Sequence, residues 1–232
     1  MLASAPPSQF VSLCGSLAPI TSVILTLSPL PTLLSIRRQD GSSDALLPSS
    51  SSSSTSDASI ASLPLLPYSA LTVNATLWTL YGLLLNSFTL YSCNGVGIFL
   101  GVLYLAMFYR KSSLANGRKL QNSLWTRRDL PFTAHVHVVA MLSLLSLGTT
   151  LYMKAAKEML ALTATIVCLV MFYSPLSKLS NILKNKHCPP GAIPLPFTAA
   201  TAANCFFWSI YGVKGAKDAA IAVPNIFGLA CA

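Results

Sequence analysis

The sequence predicts an all-α, polytopic membrane protein whose seven transmembrane helices form two parallel triple-helix bundles joined by a linker helix. Three observations support this fold class. Only 9% of the 232 residues are Asp, Glu, Lys or Arg, where a soluble domain has about 25%. The charged residues fall between seven long uncharged runs. Motifs of the first three runs return in the last three.

The uncharged runs are the predicted membrane spans. They are Phe10–Ile36, Leu63–Leu85, Leu90–Tyr109, Leu130–Met153, Met159–Ser177, Ile193–Val213 and Ala219–Ala232. The first is too long for a signal peptide and lacks its basic start. The last has 14 residues, whereas a helix needs about 20 to cross a bilayer. We therefore expect the end of the seventh helix and a cytosolic tail to be missing.

The loops divide the chain into three predicted domains. Residues 10–109 form the first bundle, residues 110–153 a basic loop and the linker helix, and residues 154–232 the second bundle. Within the first domain, residues 38–62 are rich in serine and too poor in apolar residues to bury a core. We expect this cytosolic loop to be disordered.

Basic residues are unevenly distributed between the two sides of the predicted bundle. Of the fifteen Lys and Arg residues, eleven lie in the loops after spans one, three and five. The positive-inside rule places these loops in the cytosol and the N-terminus outside the cell or in a lumen. The net charge of +9 therefore needs no nucleic-acid partner. The plasma membrane is the expected location, with the vacuole or Golgi as alternatives.

Three pairs of motifs indicate that spans one to three repeat as spans five to seven. The pairs are Ser28-Pro29-Leu30 with Ser174-Pro175-Leu176, Asn74-x3-Trp78-x2-Tyr81-Gly82 with Asn204-x3-Trp208-x2-Tyr211-Gly212, and Asn94-Gly95-Val96-Gly97 with Asn225-Ile226-Phe227-Gly228. Their offsets are 146, 130 and 131 residues, and the serine-rich insertion accounts for the larger one. Since four spans separate equivalent helices, both repeats cross the membrane in one direction. Parallel-repeat transporters bind their solute at the repeat interface.

Asn94 and Asn225 are matched polar residues of spans three and seven. An amide at membrane depth is costly unless it faces a partner or a cavity, and it offers donors and acceptors to the hydroxyls of a neutral solute. Each could instead link two helices, a common role of a membrane asparagine. Their pairing in the repeat favours a substrate-binding site.

The matched tryptophans, Trp78 and Trp208, are the predicted aromatic part of this site. An indole can stack on the apolar face of a sugar ring. The alternative is a tryptophan of the interfacial aromatic belt. Asn74 and Asn204 lie one helical turn earlier on the same face, so we predict that these four residues also bind the substrate.

Prolines and the distribution of charge complete the prediction. Pro29, Pro67, Pro175 and Pro194 lie near the cytosolic ends of helices, where matched kinks would form hinges; simple helix termination is the alternative. No charged residue lies inside a span, which argues against a proton relay or an ion-coupled site. The His135-x-His137 pair is a weak metal or proton site, because residues two apart point to different helix faces.

Catalytic and metal-binding motifs are absent from the sequence. It contains no GxSxG, HExxH or phosphate-loop pattern, and its six scattered cysteines form no CxxC pair. We therefore predict that the protein is not an enzyme and uses neither a cofactor nor a metal.

Together the motifs resemble those of the SWEET sugar transporters. The resemblance also includes Pro31-Thr32, Leu66-Pro67-Tyr68, Tyr173 to Ser177 and Val223-Pro224-Asn225, and it covers both predicted bundles from about residue 10. It implies a facilitative, bidirectional uniporter of neutral mono- or disaccharides that works by alternating access in a lipid bilayer.

The resemblance also implies residue roles. Asn94 and Asn225 would hold the sugar, with Trp78, Trp208, Asn74 and Asn204 completing the pocket. The prolines Pro29, Pro67, Pro175 and Pro194 would act at the cytosolic gate. The outer gate would consist of Tyr81, Asp218 and Tyr211.

Two other functions and an open question of assembly stand beside this interpretation. A PQ-loop-type transporter of amino acids or other small metabolites would share seven spans and proline kinks, but Pro29 and Pro175 are each followed by Leu rather than Gln. A seven-helix signalling receptor fits poorly with a three-one-three repeat. The sequence leaves open whether the chain forms a homo-oligomer.

Overall fold

The computed structural model describes residues 8–35, 65–114, 132–185 and 195–232, which are helical apart from short connections. Seven main helices follow one another: α1 (Gln9–Leu27), α2 (Leu66–Leu84), α3 (Phe88–Leu114), α4 (Phe132–Tyr152), α5 (Ala156–Asn185), α6 (Leu195–Ile210) and α7 (Ala219–Cys231). They confirm the predicted seven-helix, all-α fold. The serine-rich loop 38–62 and Pro194 lie outside the described residues.

The helices form two similar groups of three. In the first half α3 packs against both α1 and α2, and in the second half α7 packs against both α5 and α6. The halves meet where α1 contacts α6 and where α2 contacts α5. The linker helix α4 packs against α2 and α5, along the second of these interfaces.

The two ends of the bundle differ in their connections. At one end, tight turns at residues 85–87, 153–155 and 217–218 join successive helices, and we call it the turn end. The opposite end, which we call the loop end, borders the long segments 36–64, 115–131 and 186–194. The two ends give the positions of the residues discussed below.

The turn before the third helix of each half has the same backbone geometry. Asn86 and Lys217 are 131 residues apart and both adopt left-handed conformations, with φ of 52° and 50°. Asn tolerates this region better than most residues because its short polar side chain bonds locally. In the second half α6 continues into a π-helical turn, Tyr211–Ala216, and Asp218 caps α7 by accepting the N–H of Ala220 at 2.9 Å.

Matched glycines bring the second and third helices of each half into close contact. A Cβ on Gly82 would lie 2.8 Å from the backbone nitrogen of Tyr91, and a Cβ on Gly212 would lie 2.8 Å from that of Ala222. Backbone cannot retreat from such contacts as a flexible side chain can. Glycine at these positions therefore sets how closely the helices approach.

The apolar residues are divided between an inner core and the outer faces. The largest buried cluster contains Trp78 and Trp208, together with residues from both halves. Phe99, Leu144 and Leu145 on the outer faces are each more than 60% exposed. By length and composition, the segments Gln9–Ser35, Phe88–Phe108 and Ala134–Tyr152 are long and apolar enough to cross a membrane, and α7 is a shorter apolar helix.

The glycine contacts lead to a stability prediction. We expect Gly82→Ala and Gly212→Ala each to destabilise the protein by about 1–3 kcal/mol, because the added methyl group forces the helices apart. The measurement is the thermal unfolding midpoint of the purified protein in detergent. Gly148→Ala is the matched control, since a Cβ there meets nothing within 4 Å. An unchanged midpoint for both core variants would contradict the proposed packing constraint.

Candidate functional site

Two hydrogen-bonded triads join the halves in the middle of the helices. In the first, the indole N–H of Trp208 donates to the Ser22 hydroxyl at 2.7 Å, and that hydroxyl donates to Oδ1 of Asn204 at 2.8 Å. In the second, the indole N–H of Trp78 donates to the Cys168 sulfur at 3.4 Å, and the thiol donates to Oδ1 of Asn74 at 3.3 Å. Each triad takes its Trp and Asn from one half and its central residue from the other.

The triads obey the repeat found in the sequence. Ser22 and Cys168 are 146 residues apart, which is the offset between Ser28-Pro29 and Ser174-Pro175. Sequence reasoning missed both central residues, although this offset could have identified them as equivalent. Both indoles are about 5% exposed, so they belong to the core rather than to an interfacial belt.

The asparagines of the third helices form the other half of the site. The Nδ2 groups of Asn94 and Asn225 donate to the carbonyls of Leu90 at 2.8 Å and Ile221 at 2.7 Å, each within its own helix. Neither amide links two helices among the described residues, which removes the alternative role. Within the same part of the chain, neither Oδ1 atom accepts a hydrogen bond from the protein, and both residues are half-buried.

The packing brings these asparagines to the triads. Cys93 precedes Asn94, and Ile221 supplies the carbonyl that Asn225 bonds; both belong to the buried cluster that contains Trp78 and Trp208. The Cys93 thiol also lies beside Ser22 of the first triad. Both asparagines therefore adjoin the cluster that the two halves share, and it remains a prediction that the six residues line one substrate site there.

Two further bonds join the halves at the turn end. The Tyr81 hydroxyl donates to Oδ2 of Asp218 at 2.6 Å, and the Tyr211 hydroxyl lies 3.2 Å from the Ser87 hydroxyl. Ser87 and Asp218 are again 131 residues apart, so the two contacts are equivalent. The structure thus pairs Tyr81 with Asp218 and places Tyr211 at the same end, bonded to Ser87, which sequence reasoning missed.

Edge-on aromatic contacts connect the triads to the turn end. The Trp78 and Tyr81 rings lie 5.9 Å apart, and the Trp208 and Tyr211 rings lie 5.6 Å apart, both in T-shaped geometry. Such pairs stabilise a structure by about 0.5–1.5 kcal/mol beyond their buried area. Each tyrosine of the turn end is therefore packed on the tryptophan of its own half.

The predicted proline hinges are not equivalent in the structure. Helix α1 ends just before Ser28-Pro29, whereas α5 runs without interruption through Pro175. Pro67 lies in the first turn of α2, where its missing N–H costs no helical bond. The helix is thus interrupted at Pro29 and continuous at Pro175, and the kinks and the role of all four prolines at a gate remain predictions.

The histidine pair is divided between two environments. His135 is buried, and its Nδ1 lies 2.9 Å from the Ser69 hydroxyl, joining α4 to α2. His137 is exposed. Among the described residues, no group of three His, Cys, Asp or Glu side chains could hold a metal ion.

Comparison with protein families gives one match that extends over both halves. The family model described as the sugar efflux transporters for intercellular exchange matches residues 54–113 and 158–232. These segments make up more than half of the chain, and they contain Trp78, Asn94, Trp208 and Asn225.

Individual relatives are 25–30% identical to this chain over the aligned residues. Bidirectional sugar transporter SWEET4 of Arabidopsis thaliana is 25% identical over 88% of this chain and 70% of its own length. Bidirectional sugar transporter SWEET7 of the same plant is 30% identical over 71% of this chain and 63% of its own length. Sugar transporter SWEET1 of Mus musculus is 28% identical over 74% of this chain and 72% of its own length.

The fold resembles that of a solved eukaryotic SWEET transporter. The TM-score is 0.67, and the match covers 96% of this chain and 94% of the solved chain. Only 18% of the residues are identical, so this likeness concerns the arrangement of the helices.

The triads lead to a prediction about stability. Ser22→Ala removes the acceptor of the Trp208 N–H and a donor to Asn204, and each lost bond costs about 1 kcal/mol. We expect the thermal unfolding midpoint in detergent to fall further than for Cys168→Ala, whose bonds are longer. Ser16→Ala is the control, because the Ser16 hydroxyl is exposed and bonds only its own helix. Equal midpoints for Ser22→Ala and Ser16→Ala would contradict the prediction.

Proposed function

The chain belongs to the family of sugar efflux transporters for intercellular exchange, and from this premise we propose that it carries neutral sugars across a membrane in both directions. Transport is facilitative: the sugar moves down its own gradient by alternating access, without an accompanying ion. The names of the relatives from Arabidopsis thaliana, which describe bidirectional sugar transporters, support this proposal.

The hydrogen bonding of the Asn94 and Asn225 amides is the main support for this proposal. Their nitrogens are engaged with backbone carbonyls, while their oxygens accept no hydrogen bond from the described part of the protein. An acceptor that is fully buried without a partner costs about 1–3 kcal/mol, so these oxygens need a donor when the site closes around a solute. The hydroxyl of a bound sugar supplies the missing donor, and two such acceptors suit a solute that carries several hydroxyls.

The indoles of Trp78 and Trp208 support the same substrate class. Their N–H groups are held by Cys168 and Ser22, which limits rotation of the rings about the χ2 angle. A fixed aromatic face suits the C–H face of a sugar ring. Asn74 and Asn204 accept from the same central residues, so they orient the indoles and offer their remaining N–H groups to the substrate.

The absence of charge supports a neutral substrate. The buried polar side chains of the described residues are Ser69, Thr72, His135, Ser146 and Ser209, and no Asp, Glu, Lys or Arg is among them. Asp218 lies at the turn end, where it bonds Tyr81. An ion at membrane depth needs opposite charge or many polar ligands, whereas a sugar needs only hydrogen bonds.

The distribution of bonds between the halves is consistent with alternating access. Among the described residues, every hydrogen bond that joins the halves lies in the middle or at the turn end. This pattern fits a state in which the turn end is closed. By the positive-inside rule the loop end faces the cytosol, so the turn end faces the cell exterior or a lumen, with the plasma membrane as the expected location.

Sugar flux tests the proposal. We expect cells that lack hexose uptake to take up labelled glucose or sucrose when they express the chain, and to lose about tenfold or more of this flux with Asn94→Ala or Asn225→Ala. Each variant removes the acceptor that a sugar hydroxyl would meet. Surface abundance is measured alongside flux.

The control is Thr163→Ala, which removes an exposed hydroxyl that bonds only its own helix. It should leave flux unchanged. Wild-type flux in both asparagine variants at equal abundance would refute the assignment of the site. Flux that disappears when the pH gradient is collapsed would refute uniport and favour a proton-coupled transporter.

A further inference from the structure

Helix α1 is interrupted near the loop end. It ends at Leu27, and helical structure resumes at residues 30–35 after Ser28 and Pro29. Carbonyls in the last turn of a helix lack helical partners. The Leu25 carbonyl is satisfied locally, because it accepts both the backbone N–H and the hydroxyl of Ser28, at 3.2 and 2.7 Å.

The next carbonyl of this turn is satisfied by another helix. The Tyr104 hydroxyl on α3 donates to the carbonyl oxygen of Thr26 at 2.7 Å. Tyr104 is completely buried, with 0% of its surface exposed. Its hydroxyl meets the half-buried Thr26 at the interface of α1 and α3.

The Tyr104 ring packs on the other side of the break. It belongs to a buried cluster with Leu33, which lies in the resumed helical segment and is also completely buried. Tyr68 packs edge-on against the same ring at a centroid distance of 5.5 Å. A single side chain thus holds the end of α1 through its hydroxyl and residues 30–35 through its ring.

The helix of the second half that corresponds to α1 is not interrupted at this point. Helix α5 is continuous through Pro175, although both halves read Ser-Pro-Leu at this point. The first half has an additional proline, Pro31, where the second half has Ser177. Pro29 and Pro31 remove the N–H groups that would otherwise bond the carbonyls of Leu25 and Leu27.

We propose that Tyr104 is a positioning residue for transport, which bridges the break in α1 so that residues 30–35 move together with α1 and α3. The inference rests on the proposed transport function. With Tyr104 in place, the break at Pro29 acts as a fixed bend rather than a flexible hinge. Movement of the first half is then transmitted directly to the loop end, where the pathway must open and close.

Tyr104 acts at a distance from the sugar. It follows Asn94 by ten residues, which corresponds to about 15 Å along the helix. Its loss therefore alters the conformational step and leaves the binding contacts in place. The signature of this role is a lower maximal rate with an unchanged KM.

The first experiment removes only the hydroxyl. We expect Tyr104→Phe to lower the maximal rate of equilibrium exchange of labelled glucose about fivefold, the effect of about 1 kcal/mol from one hydrogen bond, without changing KM. The control is Tyr68→Phe, which removes a hydroxyl from the same cluster that bonds no described residue. Wild-type rates in Tyr104→Phe would overturn the inference, and a raised KM at constant rate would assign Tyr104 to binding instead.

The second experiment tests the link to the break. In a Pro29→Ala, Pro31→Ala background the α1 backbone can continue, and the N–H of Leu30 can replace Tyr104 as donor to the Thr26 carbonyl. Adding Tyr104→Phe should then lower the thermal unfolding midpoint much less than it does in the wild-type background. An equal loss in both backgrounds would overturn the bridging role, even if the proline variant no longer transports.

The two proposals fail separately. Absence of sugar flux in the wild-type chain would refute the proposed function and leave the unfolding comparison interpretable. Flux that is present in the wild type and equal in Tyr104→Phe would refute only the role of Tyr104.

Discussion

Polar groups at membrane depth must find their partners inside the protein, because the lipid offers none. In this chain several buried groups find their partners in the opposite half. The indole of Trp208 depends on Ser22, and that of Trp78 depends on Cys168. Tyr81 likewise depends on Asp218. The halves are therefore held in register by hydrogen bonds as well as by apolar packing, and the bonded pairs follow the internal repeat of the sequence.

The repeat leaves differences between equivalent positions, and these differences have physical consequences. A hydroxyl at position 22 forms short bonds, whereas the thiol at position 168 forms long and weak ones. At the turn end Tyr81 meets a carboxylate, but Tyr211 meets only the hydroxyl of Ser87. In the middle of the helices, the hydrogen bonds between α1 and α6 are therefore stronger than those between α2 and α5. At the turn end, the Tyr81–Asp218 bond is stronger than the Tyr211–Ser87 bond because one partner is charged.

Much of the fold and part of the site could be predicted from residue patterns. Uncharged runs locate the helices, and paired motifs identify Asn94, Asn225, Trp78 and Trp208. Ser22 was missed because α1 contains several Ser and Thr residues, and Cys168 because a cysteine in an apolar run is usually a small hydrophobe. The bond from Tyr104 to the Thr26 carbonyl beside Pro29 could not be predicted, because these residues are 78 positions apart and meet only in the folded chain.

The satisfied groups around the site explain why two acceptors can remain unsatisfied at its centre. Each triad uses the single proton of its hydroxyl or thiol, so these groups have no donor left for Asn94 or Asn225. The two amides are also restrained, because each nitrogen bonds a carbonyl one turn back in its own helix. Their oxygens cannot satisfy themselves by rotation without breaking those bonds. A site built in this way orients its acceptors before the substrate arrives, which lowers the entropic cost of binding. In the proposed transporter, two such acceptors bind a sugar weakly enough to release it on either side.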